Sequence, residues 1–111
     1  MALHMKKFNA TGNAAVSLSA LVEAGGAYLQ QVTIHFGVAP AAAGSLVITL
    51  DANAGPTYDA VLVTQALAAL TDYAYQPACP YILEAGDKIV VTYANADSRV
   101  YGLQVTFNME S

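Results

Sequence analysis

The sequence carries little charge. Four Lys and Arg and eight Asp and Glu residues make up 11% of its 111 residues, whereas soluble domains contain about 25%. The cations are Lys6, Lys7, Lys88 and Arg99, too few for the phosphate neutralisation that dominates nucleic-acid binding. We therefore expect no nucleic-acid partner. The missing charge also predicts a surface that is either neutral and polar or covered by contact.

Cysteine and long apolar runs are scarce as well. Cys79 is the one cysteine, so an intrachain disulfide is excluded, and we expect this thiol to act as a small apolar side chain. The longest weakly polar run, Val38 to Leu50, is interrupted by Pro40 and Gly44. A membrane-spanning helix needs about 20 predominantly apolar residues, so the sequence predicts no membrane insertion.

The length and hydrophobic content of the chain are sufficient for one folded domain. The chain is 56% hydrophobic, which excludes a disordered segment, and its length suits a single core. The opening MALHM resembles a cloning remnant before a start at Met5. We therefore predict a terminal extension at residues 1–5, in which His4 has no role, and a single domain at residues 6–111.

Period-two alternation is the main structural signal. Val32, Ile34 and Phe36 alternate with polar residues, and similar rows recur along the chain between clusters of Gly, Asn and Asp. This pattern predicts an all-β, antiparallel, jelly-roll-like β-sandwich of seven to nine strands. The strand candidates lie near residues 6–11, 14–22, 28–37, 45–51, 58–64, 73–76, 81–83, 88–94 and 99–108. Leu103, Val105 and Phe107 are predicted to lie in the core.

Two further patterns concern local structure. Residues 65–71 (QALAALT) form the one stretch with helical propensity, and we expect at most one helical turn there. A shift of 42 residues places Ala43–Thr64 over Ala85–Thr106 with seven identities in 22 positions. The match indicates either a duplicated strand-turn-strand unit or independent hairpins that share turn residues.

The residues that catalysis requires are mostly absent. His35 is the one histidine outside the predicted extension, and it lies on the polar face of its strand. One such histidine and one cysteine cannot complete a zinc site. Asp51, Asn53 and Asp59 have the oxygen ligands of a calcium loop but lack its closing glutamate, so a turn is favoured over a bound ion. The sequence thus predicts no catalytic, cofactor-binding or metal-binding residue, and no enzyme.

Tyrosine is the abundant aromatic residue. The chain has seven tyrosines and no tryptophan, and Tyr73 and Tyr75 share one face of a short strand. Tyrosine is enriched at protein interfaces, whereas a platform for sugar rings usually includes tryptophan. Core or interface positions are therefore the favoured interpretation.

The composition of the strands favours assembly. Outward positions are filled by Thr, Ser, Gln and Ala, and we find no lysine placed in the middle of a strand to guard a sheet edge. Contact between identical copies would cover such a neutral surface, so the sequence predicts a homo-oligomer.

The chain resembles small β-sandwich proteins encoded among bacteriophage and prophage virion genes. The resemblance spans Gln31 to Phe107 and rests on VTIHFG at 32–37, AGSL at 43–46, YILEAGDKIVV at 81–91 and YANAD at 93–97. It implies a structural or accessory virion part, such as a head decoration, tail or fibre component, made in the bacterial cytoplasm and docked onto other virion proteins. It also implies a trimer or larger ring, and it brings no catalytic residues.

Two functions stay open at this stage. One is a non-enzymatic virion building block that self-associates and docks. The other is an extracellular carbohydrate- or receptor-binding module of the same fold, since a fold alone does not separate the two. Exposed, coplanar tyrosines around a groove would favour the module, whereas an apolar flat face repeated around a symmetry axis would favour the building block.

Overall fold

The protein folds as two antiparallel sheets packed face to face. The computed structural model describes residues 3–23, 25–77 and 81–110, with the backbone alone for residues 3, 4 and 110. Its strands are β1 (Leu3–Gly12), β2 (Val16–Leu21), β3 (Ala27–Phe36), β4 (Ser45–Asp51), β5 (Ala60–Ala66), β6 (Asp72–Tyr75), β7 (Tyr81–Leu83), β8 (Lys88–Tyr93) and β9 (Tyr101–Glu110). All nine strand candidates correspond to these elements, which confirms the predicted β-sandwich.

The strand order is that of a jelly roll. Sheet A has the order β1-β9-β3-β6, with β7 also paired to β3, and sheet B has the order β2-β8-β4-β5. β1 thus pairs with β9, β2 with β8, β3 with β6 and β7, and β4 with β5, as if one long hairpin had been wrapped around the core. Short connections join β1 to β2 and β5 to β6, and in each case they link edge strands of different sheets.

The core lies between the sheets and comes from the alternating rows. Leu103, Val105 and Phe107 of β9 are at most 1% exposed, which confirms their predicted burial. Phe107 meets Phe8 edge to face at a ring separation of 5.4 Å. Between the two sheets, Phe36 meets Tyr93 in the same geometry. Both contacts have the arrangement that aromatic quadrupoles favour.

A bulge keeps β3 in phase with the core. Leu29 and Val32 are both buried although they lie three residues apart, and the register with β9 shifts between Leu29 and Gln31. The extra residue on β3 restores the inward orientation that strict alternation would lose. Alternation alone does not reveal this feature.

The limit of at most one helical turn is confirmed, but that turn does not lie at residues 65–71. Gln65 and Ala66 are the last residues of β5, and Leu67 is fully buried in the core. Ala69 has a φ of +66° and donates its N–H to the carbonyl of Pro40. Pairing and burial outweigh helical propensity in a segment too short to form a stable helix. The one helical turn in the described residues is a 3₁₀ turn at Pro56–Tyr58.

The internal match does not correspond to two hairpins. β4 and β5 pair as neighbours in sheet B, but β8 lies in sheet B and β9 in sheet A. The two segments share strand and turn spacing, whereas the second one crosses between the sheets. The second segment is therefore not a hairpin, whichever interpretation of the match is taken.

Residues of the predicted extension take part in the sheet. β1 begins at Leu3, which is opposite Glu110, and His4 and Met5 are opposite Met109 and Asn108. The backbone of residues 3–5 thus continues the pairing of β1 with β9. Cys79 lies outside the described residues.

Thr106 is buried on the side of β9 opposite the core. Its side chain is 1% exposed, and its Oγ1 has no hydrogen-bond partner among the described residues. An unpaired buried hydroxyl is costly, whereas an apolar group of similar shape carries no such cost.

We expect Thr106→Val to stabilise the protein by about 1 kcal/mol, because it removes this unpaired group. Urea unfolding would measure the change. Thr92→Val is the matched control, since Thr92 is an exposed strand threonine on sheet B, and it should change stability by less than about 0.5 kcal/mol. Destabilisation by Thr106→Val alone would show that the hydroxyl has a partner.

Candidate functional site

A polar groove crosses the outer face of sheet A. It has a volume of about 560 Å³ and is lined by Asn9, Ala10, Thr11, Thr33, His35, Gly102, Leu103 and Gln104. Gly102 lies opposite Thr11 of β1 and His35 of β3, and a methyl group added at Gly102 would meet nothing within 4 Å. Because Gly102 has no side chain, its backbone forms the floor of the groove. A glycine inside a strand often marks a close approach by another group.

His35 and Asp72 form a pair at one end of this groove. Nδ1 of His35 lies 2.6 Å from Oδ1 of Asp72, and Thr71 Oγ1 donates to Oδ2 of the same carboxylate. The hydrogen bond with His35, and then that from Thr71, lower the pKa of Asp72 below its usual value. Both members of the pair are about two-thirds exposed. This placement confirms that His35 lies on the polar face of its strand.

Two hydroxyl groups near His35 have partners within the protein. Thr11, across the groove, donates its hydroxyl to the carbonyl of Tyr101, and the Thr71 hydroxyl is engaged by Asp72. A nucleophilic mechanism needs a hydroxyl or thiol directed at the base. The hydroxyls of Thr11 and Thr71 are instead bonded to the Tyr101 carbonyl and to Asp72. The pair is suited to orienting a polar ligand through hydrogen bonds.

The loop at residues 51–59, which the sequence compares with a calcium loop, is held by hydrogen bonds within the protein. Asp59 Oδ1 accepts from the Ala52 N–H at 2.8 Å, and Asp87 accepts from the N–H groups of Asn53 and Glu84. Asp87 is 5% exposed. Its carboxylate anchors this loop, and the sequence analysis did not single it out. Within residues 3–23, 25–77 and 81–110, no group of three or more His, Cys, Asp or Glu side chains is arranged to hold a metal ion.

Three tyrosines cluster where sheet A ends. Tyr73, Tyr75 and Tyr81 lie opposite Ile34, Val32 and Leu29 of β3, so they face inward, and they pack partly against the core. Burial, and then the neighbouring Tyr73 and Tyr81, raise the pKa of Tyr75 above its usual value. These rings are not presented as an exposed platform beside the polar groove. Their partial burial at a sheet edge fits the core or interface positions predicted for them.

The outer face of sheet B is neutral. Its outward rows come from all four strands and contain Ser17, Ser19, Val47, Thr49, Val61, Thr64, Val90 and Thr92. Charge enters at one margin, where Lys88 lies opposite Leu21 and Asp51. This neutral face presents hydroxyls and β-branched side chains, a surface that can pack against another protein without burying charge.

The sheet edges differ in their protection. Lys6 and Lys7 lie in the middle of edge strand β1, opposite Phe107 and Thr106. The expectation that no strand carries a central lysine is therefore wrong, because β1 begins earlier than its polar and apolar pattern indicates. Lysine on an edge strand opposes pairing with another chain. By contrast, β2 and β5 are sheet B edges without a charged residue.

The groove could not be assembled from the sequence. Gly102, Gln104, Thr33 and His35 appear as outward residues of their strands, but their proximity depends on the register of β9 with β3 and β1. The available signal was Gly102, a glycine in the middle of an otherwise regular strand.

The chain matches no protein-family model and no curated protein sequence. Among the residues that the structure describes, no helix is long and apolar enough to cross a membrane.

Proposed function

We propose that the protein is a non-enzymatic structural or accessory component of a phage-like virion that acts by self-association and docking. The observation that carries this proposal is the neutral outer face of sheet B, together with the uncharged edges β2 and β5. A chain of net charge −4 that confines the charge of this face to one margin, at Lys88 and Asp51, has a surface suited to contact. Jelly rolls are common in viral capsid domains, and the resemblance to phage virion proteins supports the same assignment.

Sedimentation velocity at micromolar concentration and ordinary salt tests the self-association. We expect a mass of at least three times the 11.5 kDa of one chain, because virion parts like those that the chain resembles often sit on the axes of trimers or larger rings. A single-chain mass at every concentration would contradict self-association.

Mass spectrometry of density-purified particles, from bacteria that carry the gene, tests the virion assignment. Peptides of the chain should co-purify with the particles at a copy number comparable to that of other structural proteins. Recovery from the cell lysate alone would contradict this assignment.

A second candidate function is recognition of a neutral glycan in the polar groove. The observation that favours it is the lining of amide and hydroxyl side chains around the Gly102 floor, groups that hydrogen-bond sugar hydroxyls. A glycan array would identify a ligand, and Gly102→Trp, which fills the floor, should abolish its binding. A bound glycan that is unaffected by Gly102→Trp would place its site elsewhere.

A further inference from the structure

The outer face of sheet A is built from rows of side chains that repeat along β9. Gly102, Gln104, Thr106 and Asn108 are the outward residues of this strand, because the residues between them are buried in the core. β9 lies between β1 and β3, so outward side chains of those two strands flank each of these positions. Successive rows lie about 7 Å apart along the strand. The polar groove occupies the rows of Gly102 and Gln104, with β1 and β3 as its walls, and it therefore runs along β9.

Thr106 lies in the next row, in line with the groove. Across the sheet it is opposite Lys7 of β1 and Gln31 of β3. Since Thr106 faces outward but is only 1% exposed, it must be covered by side chains of its own face, and the long side chains of Lys7 and Gln31 lie beside it. Lys7 is exposed and Gln31 partly exposed. Exposed side chains change rotamer within nanoseconds, so this cover can open.

The Thr106 hydroxyl is unsatisfied in the protein alone. Among the described residues, its Oγ1 has no hydrogen-bond partner, whereas the hydroxyl of Thr11, at the other end of the groove, donates to the Tyr101 carbonyl. An unpaired buried hydroxyl lowers stability, and proteins retain such groups mainly where function uses them. Thr106 thus holds a free hydrogen-bonding group, beneath a movable cover and in line with a polar groove, that a ligand can satisfy.

The chemistry of this face selects a neutral glycan chain. Amides such as Gln104 and Asn108 recur along the rows and pair with sugar hydroxyls. Among the outward side chains that the structure describes on sheet A, the charged ones are Lys7 and Asp72, and Asp72 is bonded to His35. A nucleic acid would need more cations. β9 is paired with β1 and β3 on both sides, so it offers a peptide no free backbone groups for strand addition.

We propose that the polar groove is one section of a longer binding track along β9, in which the Thr106 hydroxyl bonds a hydroxyl of a linear neutral glycan. This inference rests on the glycan recognition proposed for the groove, and it adds the form of the ligand and a further binding residue. One end of the chain lies over Gly102 and Gln104, and the chain continues along the strand while the side chains of Lys7 and Gln31 move aside. A short sugar fills the groove without reaching Thr106.

Binding of neutral polysaccharides tests this track. Glucans, mannans, galactans and xylans in affinity gels identify a ligand for the wild type, and its oligosaccharides of increasing length are then titrated by calorimetry. We expect affinity to rise once the chain is long enough to reach Thr106. Thr106→Val should weaken binding of the longer oligosaccharides by about three- to tenfold, the contribution of one hydrogen bond. It should leave binding of the shortest ones unchanged.

Two variants serve as controls. Thr106→Ser keeps the hydroxyl and should bind every length as the wild type does. Thr92→Val makes the same change at an exposed threonine of sheet B and should leave affinity unchanged. Thr106→Val is expected to gain stability while it loses affinity, whereas a side chain that only supports the fold would change both in the same direction.

The outcomes separate this inference from glycan recognition itself. A wild type that binds none of the neutral polysaccharides would overturn both. Binding that Gly102→Trp abolishes, but that Thr106→Val leaves unchanged at every length, would overturn the track while the groove stands as a glycan site. Equal affinity for short and long oligosaccharides would contradict the track as well.

Discussion

Phe107→Ala is expected to destabilise the protein by about 3 to 5 kcal/mol. Phe107 is fully buried on β9 between β1 and β3, where it lies opposite Lys6 and Leu29. The substitution also removes the edge-to-face contact between the rings of Phe107 and Phe8. The strands on both sides are fixed by their backbone pairing, so the core can close the resulting cavity only in part.

This loss is large relative to the stability of a small domain, which is about 5 to 15 kcal/mol. Equilibrium unfolding in urea, followed by far-ultraviolet circular dichroism, would measure it. Phe8→Ala is the internal comparison, because Phe8 is only partly buried on edge strand β1 and should cost less. A loss below about 1 kcal/mol for Phe107→Ala would mean that the inward face of β9 is assigned wrongly.

The sandwich could be predicted because its strands alternate regularly. In β3, β4, β8 and β9 the apolar residues at every second position are the buried ones, since one face of each sheet meets the core and the other does not. The bulge on β3 escapes this rule. Its extra residue is polar and leaves no mark on the composition.

Pairing between distant strands could not be predicted in the same way. Lys6 and Lys7 stand near the start of an apparent strand in the sequence, yet they occupy the middle of edge strand β1, because β9 extends to Glu110 and pairs with residues down to Leu3. The polar groove likewise depends on which strands are neighbours. Local periodicity gives the face of a residue, whereas sheet order is a property of the whole chain.

One position links local backbone conformation to this long-range order. Asn95 is 4% exposed and has a φ of +52° in the loop between β8 and β9. Its Nδ2 donates to the carbonyls of Ala14 and Arg99, and its Oδ1 accepts from the Arg99 N–H. The Asn95 side chain thus stabilises its own turn and connects that turn to the loop between β1 and β2.

Asn95→Ala should therefore destabilise the protein by about 2 to 4 kcal/mol, because it leaves the Ala14 carbonyl and the Arg99 backbone groups without their partner. Alanine also tolerates a positive φ less well than asparagine. Asn95→Gly separates the two causes, since glycine adopts this conformation freely but makes none of the three hydrogen bonds. It should recover about 1 kcal/mol of the loss. Urea unfolding of both variants is the measurement, and a change within about 0.5 kcal/mol of the wild type in each would show that Asn95 does not hold the two loops together.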